Sequence, residues 1–167
     1  MSKKSGVLTT AVSLITVLLL LPGCAANRLN MEEFQQAKTE VIQGDYNEVF
    51  TTTVATLREK GFHVNTIDRM QGLVSATFRF APNRELDGAF FEGYRQRFAL
   101  AMRADAVVKP VDENSTFVDI TFTEELPPSA STYTLRPEDL TYRQVRTGQQ
   151  YEVFFSHVKN MLENNGP

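Results

Sequence analysis

The sequence predicts an α+β domain, in which a four-stranded antiparallel meander carries two amphipathic helices on one face. The chain has 167 residues, 42% hydrophobic and 22% charged, which suits one globular domain. Apolar residues recur at helical spacing in two segments and alternate with polar residues in four segments between them. The predicted order is therefore α-β-β-β-β-α. Burying both helix stripes against the apolar sheet face gives a two-layer sandwich.

The first helix is predicted over residues 46–60. Asp45 and Glu48 have the spacing of a capping box, and Gly61 follows the segment where a left-handed residue commonly ends a helix. One apolar stripe runs along it, formed by Tyr46, Phe50, Val54 and Leu57. These signals predict a helix that packs on the sheet.

Two predicted hairpins follow. Residues 62–67 alternate, residues 68–72 form a turn that ends in Gly72, and the next strand places Val74, Ala76, Phe78 and Phe80 on one face. The second hairpin alternates from Phe98 to Val108 and again over Val118, Ile120 and Phe122, with a turn at 110–115. Residues 82–93 have no clear pattern and stay unassigned.

The second helix is predicted from a stripe near the end of the chain, made of Tyr151, Phe154, Phe155, Val158, Met161 and Leu162. Before it lies a long polar connection over residues 124–147. Connections of more than about 15 residues are uncommon in compact domains and are often functional.

The N-terminal segment has the pattern of a secretion signal. Lys3 and Lys4 precede the uncharged residues 7–21. As a helix these 15 residues span about 22 Å, which is shorter than the roughly 30 Å hydrocarbon core of a bilayer. The segment is therefore predicted to be a signal peptide rather than a membrane span.

Leu21-Pro22-Gly23-Cys24 resembles the lipobox of bacterial lipoproteins. This resemblance implies that residues 1–23 are cleaved and that Cys24 carries a covalent diacylglycerol and palmitate-like chains. Residues 24–44 then form a lipidated N-terminus and polar tether, and residues 45–165 form the single domain. In similar lipoproteins an Asp after the Cys favours the inner membrane. Ala25 therefore implies an outer-membrane anchor that faces the periplasm.

The domain itself resembles the small helix-grip domains of periplasmic lipoproteins, of which BamC is an example. The residues that carry this resemblance are Gly61-Phe62, Asp68 and Gly72, within a span of roughly 45–163. This resemblance implies a fold but does not identify a binding partner.

Composition and motifs exclude several classes of function. Removing residues 1–23 takes away Lys3 and Lys4 and no acid, which leaves 15 basic and 20 acidic residues, a balance that disfavours nucleic acid. The chain has one Cys, two His and no nucleotide-binding, hydrolase or metalloprotease motif. We therefore expect no catalytic residue, metal or cofactor apart from the lipid on Cys24. The acidic pairs at 112–113 and 124–125 are expected in solvent.

Two sets of residues are candidates for partner binding. The outer sheet face would present Leu73, Val107 and Phe117 among polar neighbours, although scattered exposed apolar residues are a common alternative. The 124–147 connection holds large side chains of the types enriched at protein interfaces, namely Tyr133, Arg136, Tyr142, Arg143 and Arg146. A lid that packs on the domain's own sheet is an equal alternative for this connection.

The leading functional hypothesis is a lipid-anchored periplasmic accessory protein that binds another envelope protein without catalysis. The alternative is binding or sensing of a small apolar ligand or lipid between the helices and the sheet, lined by Phe50, Phe78, Phe98 and Phe154. An enzyme of cell-wall sugar or peptide ranks third, because it needs a pocket that joins His63 or a perturbed carboxylate.

Overall fold

An antiparallel sheet with helices on one face forms the domain in the computed structural model, which describes residues 28–80, 88–91, 99–126 and 140–165. The helices are α1 (Met31–Ala37), α2 (Tyr46–Glu59), the short α3 (Gly88–Phe91) and α4 (Gly148–Asn165). The strands are β1 (Thr39–Gln43), β2 (His63–Asp68), β3 (Leu73–Arg79), β4 (Ala101–Pro110), β5 (Ser115–Leu126) and β6 (Thr141–Gln144).

The predicted four-stranded meander with two helices is wrong, because the described residues form six strands and further helices. The α+β class holds, but α1 and β1 come from residues 31–43, which the sequence analysis assigned to the tether, and β6 comes from the 124–147 connection. Both added strands are short, with 5 and 4 residues. Such segments show too little alternation for the pattern to identify them.

The long strand β5 organises the sheet. Its partner along one edge is β4, while β1 pairs with residues 115–119 of the other edge and β6 pairs with residues 123–126. The strand order is β1-β5-β4-β3-β2, with β6 beside the same edge of β5 as β1. One 12-residue strand thus has two short partners placed end to end.

A tyrosine side chain completes the edge of β5 between these two partners. The Ile120 N–H donates to the Lys38 carbonyl at 2.8 Å, and the Val145 N–H donates to the Phe122 carbonyl at 2.9 Å. The remaining Phe122 N–H donates to the Tyr151 hydroxyl at 3.3 Å, which in turn donates to the Val145 carbonyl at 2.8 Å. A residue of α4 therefore satisfies backbone groups where β1 and β6 fail to meet.

The core lies between the helices and one face of the sheet. Every second residue of the central strands is buried there, including Val74, Ala76 and Phe78 of β3, Met102, Ala104, Ala106 and Val108 of β4, and Val118, Ile120 and Phe122 of β5. Phenylalanine rings from strands and helices pack together around Phe122.

Local signals fix both ends of α2. The Asp45 carboxylate accepts from the N–H groups of Asn47 and Glu48 at 2.8 and 3.1 Å. At the other end Gly61 has φ of 84°, and the N–H groups of Gly61 and Phe62 donate to the carbonyls of Arg58 and Leu57, which is a Schellman motif. Both features were visible in the sequence, because they depend on neighbouring residues alone.

Replacing Tyr151 by Phe is expected to lower the free energy of unfolding by about 1–3 kcal/mol, since it leaves a buried donor and a buried acceptor without their partner. Urea unfolding followed by circular dichroism measures this change. Tyr142→Phe is the matched control, because Tyr142 is 59% exposed, and its midpoint is expected to stay unchanged. Equal effects of the two substitutions would contradict the bridging role.

The same hydroxyl predicts a loss of stability in alkali. Burial raises the pKa of Tyr151 above its usual value of 10.0, against a smaller lowering by the Phe122 N–H. The folded state thus favours the protonated hydroxyl, so this contribution is complete below pH 10 and falls as the pH rises beyond it. Unfolding midpoints measured from pH 8 to pH 11 should fall less steeply in Tyr151→Phe than in the unmodified chain.

Candidate interaction surface

Four apolar side chains meet on the outer sheet face, which is the face opposite the helices. Leu73 and Val107 are cross-strand partners on β3 and β4, and Phe117 of β5 lies opposite Val41 of β1. Phe117 is also diagonal to Val107, because the partner of Val107 is residue 119, and an aromatic side chain reaches a diagonal neighbour. We call these four residues the apolar patch.

The apolar patch is partly open to solvent. Val41 is 51% exposed and Leu73 is 38% exposed, while Val107 and Phe117 are half-buried among their neighbours. The three outer-face residues predicted from the sequence therefore lie together, and the structure adds Val41. Sequence reasoning missed Val41 because residues 24–44 were assigned to the tether, although the β-branched residues at 39, 41 and 42 are typical of a strand.

Two ion pairs lie among the polar residues of the outer face. Lys38 contacts Asp119 at 2.6 Å, and Arg103 contacts Asp105 at 2.8 Å. The Arg103–Asp105 pair is exposed and contributes roughly 0–1 kcal/mol, whereas the Lys38–Asp119 pair is largely shielded from solvent. They limit the apolar patch to one end of the face.

Two hairpin tips at the same end of the sheet add exposed apolar groups. Met70 in the β2–β3 turn is fully exposed, and Val111 in the β4–β5 turn is also exposed. Two residues of α2 contact the turn that contains Met70. The Tyr46 hydroxyl donates to the Arg69 carbonyl, and the Arg69 guanidinium lies 5.1 Å from the Phe50 ring centroid. Burial raises the pKa of Tyr46, while Arg69 opposes the shift.

The described residues of the 124–147 connection lie away from the apolar patch. Tyr133 and Arg136 lie outside the described residues. Tyr142 is exposed and pairs with Glu125, which is eight residues from Phe117 along β5 and so about 26 Å away at 3.3 Å per residue. The predicted partner-binding residues that the structure describes therefore belong to two separate regions.

Arg143 and Arg146 both contact the domain itself. Arg143 donates to the Glu124 carboxylate from Nε at 2.9 Å and from Nη2 at 2.5 Å. Arg146 lies 5.5 Å from the Phe34 ring centroid. Glu124 is 7% exposed, so the expectation that it sits in solvent with its neighbour is wrong. Its position on the core face of β5 explains why it needs the guanidinium.

The two histidines and Asp112 lie on separate elements of the domain. His157 Nε2 lies 2.6 Å from Glu59 Oε2, which links α4 to α2, and His63 is exposed on β2. Asp112 lies in the β4–β5 turn, where hydrogen bonds from Ser115 and then Asn114 lower the pKa of its carboxyl. Within residues 28–80, 88–91, 99–126 and 140–165, no three His, Cys, Asp or Glu side chains are close enough to bind a metal together.

Three of the four phenylalanines considered for an apolar ligand site take part in the core. Phe78 packs 5.7 Å from Phe62, and Phe154 packs 5.9 Å from Phe122, between ring centroids. Phe50 is fully buried on α2, while Phe98 lies outside the described residues. Their contacts with other rings give the ligand hypothesis no specific support.

The fold and this surface define a small α+β domain whose helices cover one sheet face and whose other face carries a localised apolar patch. No family model matches the chain, and no curated protein matches it significantly in sequence. In the part of the chain that the structure describes, no helix has the length and apolar character needed to cross a bilayer. The functional argument therefore depends on the surface itself.

Proposed function

We propose that this chain is a lipid-anchored accessory protein of the bacterial envelope, which binds another envelope protein through the apolar patch and performs no catalysis. The observation that carries the proposal is the patch, in which four apolar side chains from four strands meet on the face that the helices leave uncovered. Complete burial of a Leu, Val or Phe side chain contributes about 1.5–3 kcal/mol, so a partner that covers the patch gains binding energy from it.

The proposed anchor is Cys24 in the outer membrane, with the domain on the periplasmic side. Support comes from the lipobox-like Leu21-Pro22-Gly23-Cys24 and from Ala25. Two acyl chains or more give stable attachment to a bilayer, whereas one gives only marginal binding.

The distance between Cys24 and the folded domain limits where the partner lies. Arg28 forms a β-bridge with Thr147, and the Leu29 N–H donates to the Arg146 carbonyl at 2.7 Å. Four residue steps separate Cys24 from Arg28 and span at most about 14 Å. A domain attached in this way stays close to the membrane surface, which favours a partner that is itself embedded in or bound to the membrane.

A photocrosslinking residue placed at position 117 in intact cells is expected to trap a discrete partner. Adding Leu73→Glu should reduce that adduct about tenfold or more, because a carboxylate in the patch loses the apolar burial and 1.4 kcal/mol corresponds to a factor of ten. Thr66→Glu is the matched control, because Thr66 is exposed on the edge strand β2 outside the patch. It should leave the adduct unchanged.

The anchor is tested separately in the same cells. Cys24→Ala should abolish palmitate labelling. Labelling that survives this substitution would disprove the anchor, and monomer alone at positions 41, 73, 107 and 117 would disprove the partner surface. The two parts of the proposal can therefore fail independently.

A further inference from the structure

A shallow groove of about 620 Å³ opens beside the end of α2 and the edge of the sheet. Its lining combines the helix end with two strands and includes Arg58, His63, Asn65, Thr77 and Arg79. Thr77 lies four residues from Leu73 along β3, about 13 Å at 3.3 Å per residue. The groove is therefore distinct from the apolar patch, and its lining combines these polar side chains with Phe62.

A β-bulge in β2 concentrates polar groups in this groove. The register with β3 shifts between Val64 and Thr66, so Asn65 has no cross-strand partner there. Its side-chain amide donates to the Thr77 hydroxyl at 2.7 Å, and His63 is the cross-strand partner of the same Thr77. Bulges commonly redirect side chains at functional sites. The Thr77 hydroxyl accepts from Asn65 and keeps its own proton for donation to a ligand.

The two arginines of the groove have no acidic partner within the described residues. Arg58 and Arg79 are both exposed, and no carboxylate of this part of the chain pairs with either of them. Among the described acids, Glu59 contacts His157 and Asp105 contacts Arg103. In a chain with 20 acidic and 17 basic residues, this grouping of unpaired cations favours an anionic ligand.

The carbonyl end of α2 lies beside the groove. The carbonyl end of a helix carries partial negative charge, which disfavours anions. Two capping bonds reduce this effect, since the Gly61 N–H donates to the Arg58 carbonyl at 2.9 Å and the Phe62 N–H donates to the Leu57 carbonyl at 2.9 Å. The arginine side chains must outweigh what remains.

We propose that this groove binds a phosphate group through the guanidinium groups of Arg58 and Arg79, with the Thr77 hydroxyl as a further donor. Each guanidinium presents a planar pair of N–H donors that matches phosphate oxygens. Together with the Thr77 hydroxyl and the His63 imidazole, the two guanidinium groups offer more hydrogen-bond donors than the two oxygens of a carboxylate can accept. A phosphate has more acceptor oxygens and can accept more of these hydrogen bonds. The phosphate belongs either to a soluble ester or to the headgroup of an anionic lipid.

The test uses residues 24–167 carrying Cys24→Ala, so that neither an acyl anchor nor the apolar residues 7–21 contribute to membrane binding. Glycerol 3-phosphate is titrated at low salt and followed by the amide NMR signals of residues 63–65 and 77–79. In parallel, sedimentation is measured with vesicles of phosphatidylcholine alone or with added phosphatidylglycerol. Saturable binding of glycerol 3-phosphate indicates a soluble ester, whereas binding only to phosphatidylglycerol vesicles indicates a headgroup.

Arg58→Gln combined with Arg79→Gln should weaken the observed binding at least tenfold. Arg103→Gln is the matched control, since this guanidinium is on the same sheet and is paired with Asp105, and it should change binding less than twofold. Asn65→Asp gives a second variant, which places a carboxylate beside Thr77 and should also weaken binding. No saturable binding in either titration, or an equal loss in the Arg103→Gln control, would overturn the proposal.

Discussion

Replacing Phe122 by alanine is expected to lower the free energy of unfolding by about 3–5 kcal/mol. Phe122 is fully buried on β5, and its ring centroid lies 5.2 Å from that of Tyr151, 5.4 Å from Phe90 and 5.9 Å from Phe154. It thus joins the sheet to both α3 and α4. The truncation removes apolar burial and leaves a cavity that rigid rings on several elements fill only partly.

Urea unfolding of Phe122→Ala is compared with that of Phe117→Ala. Both residues lie on β5, but Phe122 is on the face that the helices cover, whereas Phe117 is half-buried on the outer face. Phe117→Ala should lower the free energy of unfolding by less than half as much as Phe122→Ala does. Similar losses for both variants would contradict the assignment of the core to the helix-covered face.

Replacing Gly72 by alanine is expected to lower the free energy of unfolding by at least about 2 kcal/mol. Gly72 has φ of 70°, a conformation that costs an L residue about 1–2 kcal/mol. A Cβ atom there would lie 2.0 Å from the Val108 carbonyl oxygen, so the β2–β3 turn would have to move away from β4. The clash is with backbone, which cannot change rotamer to relieve it.

Thermal and urea unfolding measure the effect of Gly72→Ala, with Gly148→Ala as the control. A Cβ at Gly148 would meet Leu29 at 3.6 Å, which is ordinary contact, and alanine is a better helix former than glycine. Gly148→Ala should therefore be neutral or slightly stabilising. A neutral Gly72→Ala would show that the turn is not seated on β4 through the 2.8 Å hydrogen bond from Val108 to Gly72.

The Gly72 substitution also bears on the proposed partner surface. The turn that contains Gly72 leads directly into Leu73, whose cross-strand partner is Val107. Displacing the turn would separate residues of the apolar patch without changing any of their side chains. Loss of the crosslinked adduct in Gly72→Ala, with retention in Gly148→Ala, would support a role for the assembled patch.

Sequence reasoning located the outer-face residues because side chains alternate across a strand. Leu73, Val107 and Phe117 were assigned to one face from alternation, and cross-strand register then brought them together. Residue type, and not alternation, was the reason for proposing Arg143 and Arg146 as contact residues. In the structure Arg143 pairs with Glu124 while its side chain stays 57% exposed, and Arg146 lies over the Phe34 ring.

The sequence by itself determined the hairpins, the caps of α2 and the faces of the central strands, because each of these depends on neighbours within a few residues. Only the tertiary structure decided that β1 and β6 share one edge of β5, that Tyr151 closes the gap between them, and that Val41 joins Phe117. Those contacts link residues far apart in the chain, such as Val41 and Phe117. Local periodicity carries no information about which distant edge a short strand will pair with.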